Sequence, residues 1–187
     1  MLLRLAGKLV LVAGVREAAI RDPAALLKAL RAREELRGLA FQLLDAGLVA
    51  GPEHLALAAL NALRAVELGF NVSSDLGLEA LTFASGQRQI SKAIELVGLK
   101  PGVMDVAVLL IGGSEGELRA ALDVILSTLG GHRDDGVLAV DQGKAERLAK
   151  AFGISEAELS SCSRLGGLLE AIRALVLERV ALSMAYR

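Results

Sequence analysis

Aromatic side chains are scarce in this 187-residue chain: it has no Trp, one Tyr and four Phe. A core must therefore be filled by aliphatic side chains, and ring stacking is a poor resource for any ligand. The single cysteine, Cys162, excludes an intrachain disulfide and points to a reducing compartment. One Cys and two His are too few for a conventional zinc site. No charge of one sign dominates, since the formal net charge is -1, so no global basic field draws in nucleic acid. Long apolar runs are missing as well. Residues 8–15 are apolar, but Arg16, Glu17 and Arg21 follow at once, which speaks against a signal peptide. The C-terminal apolar segment is interrupted by Glu170, Arg173, Glu178 and Arg179 and is not a membrane span.

Hydrophobic residues nevertheless make up 53% and charged residues 23%, the balance of a folded domain rather than a disordered chain. Its length suits one domain with a substantial core. Apolar runs predict strands over 8–15, 39–50, 103–111 and 137–140, the third broken only by Asp105. Asp22-Pro23 and Gly51-Pro52 open helices, and Gly69 closes the second of them. In the helix over 53–68 the polar residues Glu53, His54, Asn61, Arg64 and Glu67 fall on one arc. Asp75 caps a helix over 75–85, and a further helix spans 87–97 up to Gly98. Helices over 115–129 and 141–153 follow. Ser155 with Glu158 forms a capping box, and a last helix runs over 164–185. The expectation is an α+β (mixed α/β) single domain over 1–187, a small mixed sheet covered by several helices.

Residues 71–98 gather polar groups that folding does not require. Glu79 lies on an apolar helix and needs a partner. Arg88, just past the Ser85-Gly86 bend, is the expected one, either to lock the two helices together or to be held out for a phosphate. His54 is read as a local hydrogen-bonding residue or a support for this corner. Gly112-Gly113 is a tight strand-to-helix turn, with a phosphate loop as the alternative, although Glu115 and Glu117 oppose an anion there. His132, Asp134 and Asp135 read as a polar loop. The last helix carries a stripe of Leu165, Leu168, Leu169, Ile172, Leu175 and Val176, widened by Leu177, Val180, Leu182 and Met184. An arc so broad is buried between layers or pairs with another protein.

These residues resemble a known family. His54 with its Ala-rich helix, Asn71, Leu78-Glu79-Ala80-Leu81, and Ser85-Gly86-Gln87-Arg88-Gln89-Ile90 followed by Ala93-Ile94 and Gly98 are similar to the small kinase-binding subunit of the KEOPS (EKC) complex, the TPRKB family. Phe83 stands where that family's pattern has Tyr. The resemblance covers roughly residues 50–112. It implies a non-catalytic cytoplasmic subunit without cofactor or metal. Its implied partners are an atypical kinase/ATPase, the CCA end of tRNA and, indirectly, the transferase that makes threonylcarbamoyladenosine. Carried over to this chain, it assigns tRNA contact to Arg88, with Asn71, Gln89, Lys92 and Phe83 shaping the pocket. Glu79 and His54 support that site, and Leu175, Leu177, Leu182 and Met184 form the kinase interface. Two other readings stay open: a small enzyme with an anion site at Gly112-Gly113, and a scaffold that oligomerises through its last helix.

Overall fold

The structure, a computed structural model, describes residues 1–162 and 166–186. A five-stranded sheet forms its centre. The strands are β1 (Leu2–Leu5), β2 (Lys8–Ile20), β3 (Ala40–Asp45), β4 (Gly102–Gly112) and β5 (His132–Arg133). Their order is β1-β2-β4-β3, with β5 against β2. Every pairing is antiparallel, where a mixed sheet was expected. The α+β class itself stands. The apolar runs misled on direction because both faces of this sheet are covered, which gives continuous rather than alternating hydrophobicity. Val10 and Val12 of β2 with Ala107, Leu109 and Ile111 of β4 face one layer of helices. Leu11, Ala13, Val106, Val108 and Leu110 face the other.

The helices are α1 (Pro23–Arg31), α2 (Pro52–Leu68), α3 (Leu76–Ala84), α4 (Ile90–Val97), α5 (Glu115–Leu129), α6 (Gln142–Ala151), α7 (Glu156–Cys162) and α8 (Leu168–Ser183). Residues of α2, α3, α4 and α8 pack on the first face of the sheet. Residues of α1 and α5 pack on the second. A smaller cluster joins Ala145 and Leu148 of α6 to Ile172, Leu175 and Val176 of α8.

Several boundaries differ from the sequence reading. β2 continues to Ile20 past a bulge between Val15 and Ala18, where Glu17 adopts φ +56°. The Glu17 amide donates to Asp105 Oδ1 at 3.0 Å, so the one polar break in β4 steadies this bulge. Residues 46–48 leave β3 as a 3-10 turn, and 135–138 form a 3-10 turn instead of a strand. The last helix is described from Leu168, and the expected Arg164 and Leu165 lie outside the described residues.

The polar arc expected on α2 does not exist as a solvated face. His54 and Asn61 are buried while Glu53, Arg64 and Glu67 are exposed. Asn61 Nδ2 donates to the Val180 carbonyl at 2.9 Å and so ties α2 to α8. Alanines at 58, 59, 62 and 65, all fully buried, let neighbouring segments approach α2 closely. Glu53 pairs with Arg173 at 3.2 Å. With Asn61 beside Val180, this makes α2 and α8 run in the same direction, so their C-terminal ends lie together.

A surface corner at residues 71–98 and its neighbours

The corner is built as a bend between α3, which carries a side-chain cap, and α4, which does not. Asp75 Oδ1 accepts from Gly77 and Leu78 amides at 2.8 and 3.1 Å and starts α3. Its other oxygen takes Arg31 of α1 at 3.0 Å. Gly77 must be Gly, because a Cβ there would stand 2.1 Å from the Phe41 carbonyl oxygen of β3. At the far end, Ser85 Oγ donates to the Thr82 carbonyl at 2.8 Å and accepts from the Gln87 amide at 3.1 Å. Gly86 then turns the chain with φ +64°. Residues 87–89 are not helical, so α4 begins three residues later than its periodicity suggested. Arg88 and Gln89 stand exposed on this bend and Lys92 is exposed on α4. Asn71 is half-buried and donates to the Ser73 carbonyl at 2.9 Å, which shapes the loop before α3.

Two expected partnerships are corrected. Glu79 does not hold Arg88. Glu79 is fully buried, and its Oε2 accepts from the amides of Val72 and Ser73 at 3.1 and 2.9 Å. Its carboxyl group thus organises the 72–75 loop. Among the described residues Arg88 makes no ion pair or hydrogen bond through its guanidinium, which leaves that cation in solvent. Phe83 is also fully buried, in the core cluster of α2 and α3, and cannot stack on a base.

His54 supports the corner from inside. Its Nδ1 accepts from the Ala50 amide at 3.0 Å, which places the ring proton on Nε2, and Nε2 donates to the Ala84 carbonyl at 2.7 Å. The ring therefore bridges the start of α2 and the last residue of α3. Burial lowers its pKa from 6.5 to about 4. The unfolded chain takes up this proton near pH 6.5 and the folded chain only near 4. Stability is therefore expected to fall as pH drops through that window, by on the order of 3 kcal/mol from this group. Urea midpoints measured from pH 7 to pH 4 test this. A His54→Gln variant should be less stable at pH 7 and lose that part of the pH slope.

Beside the bend lies a pocket of about 340 Å³, with Ser85, Gly86 and Gln87 on one wall and Lys150, Phe152, Gly153 and Arg179 on the other. Lys150 and Arg179 come from α6 and α8, 60 or more residues away in sequence, and no local pattern linked them to the corner.

The rival sites are occupied by the protein's own groups. At the Gly112-Gly113 turn, Glu117 Oε2 already accepts the Ser114 amide at 3.2 Å in a capping box. Asp134 pairs with Arg16 at 2.7 Å, and Asp135 accepts the Gly14 amide at 2.9 Å. A larger cleft of about 700 Å³ is lined by Arg16, Lys100, Lys144 and Arg147 among others. Its Lys144 ammonium donates to the carbonyls of Val137, Leu138 and Ala139 at 3.0, 3.1 and 3.2 Å, and burial lowers that pKa to about 8. Arg147 pairs with Asp45 there at 3.0 Å. Among the described residues no group of three His, Cys, Asp or Glu side chains is placed to hold a metal ion. No helix among them is long and apolar enough to cross a membrane.

The last helix divides between core and surface. Leu175 is 5% exposed inside the third cluster, which corrects its assignment to an interface. Leu177 and Met184 are half-buried, and Leu182 is 41% exposed. Val66 and Leu68 are exposed at the C-terminal end of α2, at the same end of the molecule as Leu182 and Tyr186. Sequence reasoning missed this α2 contribution.

The regulatory protein Cgi121 of Methanocaldococcus jannaschii is 34% identical over 117 residues, which span 63% of this chain and 72% of that protein. The family model described as kinase binding protein CGI-121 matches residues 18–183, from the bulged end of β2 to the end of α8, and the chain belongs to that family.

Proposed function

We propose that this protein is a non-catalytic regulatory subunit that binds a protein kinase and, at the 85–92 bend, the single-stranded CCA end of tRNA. The family's kinase-binding description supports the first half. The exposed, unpaired Arg88 on a bend braced from inside by His54 and Ser85 carries the second. A guanidinium free of carboxylate partners offers bidentate hydrogen bonds to a phosphate. Lys92 and Gln89 stand within the same exposed stretch. The kinase meets the apolar surface at the joined C-terminal ends of α2 and α8, where Leu68 and Leu182 are exposed. Bound to both, the subunit presents tRNA to a cytoplasmic assembly of the KEOPS type for threonylcarbamoyladenosine synthesis. With few cations and no exposed Phe at the bend, RNA affinity is modest and steeply salt-dependent.

Arg88→Glu is expected to weaken tRNA binding about tenfold at low salt while kinase capture and the melting temperature stay unchanged. Gel-shift titration with tRNA, and co-purification with the kinase subunit of the same assembly, read the two activities separately. Equal tRNA affinity for Arg88→Glu and the parent chain would remove the bend from the RNA site. Failure of the parent chain to retain the kinase would remove the subunit assignment.

A further inference from the structure

Across the pocket from Ser85, Gly86 and Gln87 stand two cations in different states. Lys150, in the last turn of α6, is exposed and makes no hydrogen bond or ion pair through its ammonium among the described residues. Arg179 of α8 is engaged. One arm of its guanidinium is held by Glu158 of α7, and the other meets Glu178 at 3.3 Å. The second oxygen of Glu158 accepts the Ser155 amide and hydroxyl, both at 2.8 Å. No residue of helix α7 is fully buried, and Leu159 and Cys162 rest only partly buried against the third cluster, so Glu158 rides on a lightly packed element.

We infer that this pocket receives one phosphodiester of a single-stranded RNA between Lys150 and Arg179, and that Glu158 competes with that phosphate for Arg179. The inference rests on the tRNA reading above, and it adds a second wall and a built-in competitor to that site. Arg88 follows Gln87 directly, so a strand that touches Arg88 enters the pocket mouth at its next step. Phosphate then replaces a carboxylate on a guanidinium whose planar fork fits either one. Glu158 is held at a pKa of about 2, chiefly by Arg179, so it stays anionic and competes throughout the physiological range. Its displacement would release α7 from α8 as RNA binds, and so couple RNA occupancy to the position of α7.

The test compares the intact chain with Lys150→Ala, Glu158→Gln and Arg88→Glu. Anisotropy of a short labelled RNA ending in CCA is followed across a salt series. Lys150→Ala is expected to weaken binding about fivefold and to make the salt slope shallower by about one. Glu158→Gln keeps a residue suited to the capping box but removes the competing charge, and is expected to tighten binding about threefold. Wild-type affinity and slope for Lys150→Ala, with Arg88→Glu impaired, would overturn the pocket and leave the bend intact. Unchanged or weaker binding by Glu158→Gln would overturn the competition. No RNA binding by the parent chain would sink the tRNA reading itself. Inorganic phosphate is added as a competitor at matched ionic strength. It is expected to displace RNA more strongly than chloride does, and equal displacement by the two ions would overturn the phosphate contact in the pocket.

Discussion

Leu175→Glu is expected to leave the chain unfolded or severely destabilised, by more than about 4 kcal/mol, whereas Leu182→Glu folds normally and loses the kinase. The two leucines sit two turns apart on one helix, yet their surroundings differ completely. Leu175 is packed among Ala145, Leu148, Ile172 and Val176, where a carboxylate finds no donor. Leu182 is 41% exposed and a Glu there meets water. Circular dichroism and gel filtration separate folding from binding, and co-purification with the kinase reads the second effect. A folded Leu175→Glu protein would mean that α8 is not fixed on α6. Undiminished kinase capture by Leu182→Glu would move the interface away from the joined ends of α2 and α8.

Glu79→Ala is expected to cost about 3 kcal/mol, enough to lower the melting temperature by roughly 10 °C. The substitution strands the amides of Val72 and Ser73, which now point at a buried carboxyl oxygen. Glu79→Gln keeps an acceptor in place and should lose less. Arg88→Ala should change stability by under about 0.5 kcal/mol, because no ion pair between the two residues exists to be broken. Thermal melts of the three variants decide between this arrangement and an inter-helix salt bridge. Comparable losses for Arg88→Ala and Glu79→Ala would restore the salt bridge.

What the sequence revealed was mostly local. Asp22-Pro23, Asp75, Ser155 and Gly69 mark helix ends by chemistry contained within four residues, and the structure places boundaries at each. The short, almost unbroken apolar runs marked β2 and β4 because both of their faces are covered. The bend at Ser85-Gly86 was visible because a Gly follows a helix end. Long-range pairings left no such trace. A lone acid on an apolar helix reads as needing a partner, and among those Glu79 has are backbone amides six and seven residues earlier, which any sequence supplies. The distant acceptors of His54 and Asn61, the carbonyls of Ala84 and Val180, carry no residue signature. The four-residue β1 and two-residue β5 are too short for a periodic signal. The stripe on α8 is real, but whether a given leucine is covered depends on α6, some 30 residues away.

The sheet order has a consequence for synthesis on the ribosome. Val12 in β2 pairs with Leu109 in β4, about a hundred residues further on. At translation speeds of roughly 5–20 residues per second, the emerging β2 waits for several seconds before that partner is made. Until then β1 shields one of its edges, and the other is an open aliphatic ladder. Through the first half of synthesis that ladder has no partner, and a truncation before residue 102 is expected to yield a fragment unable to close its own core.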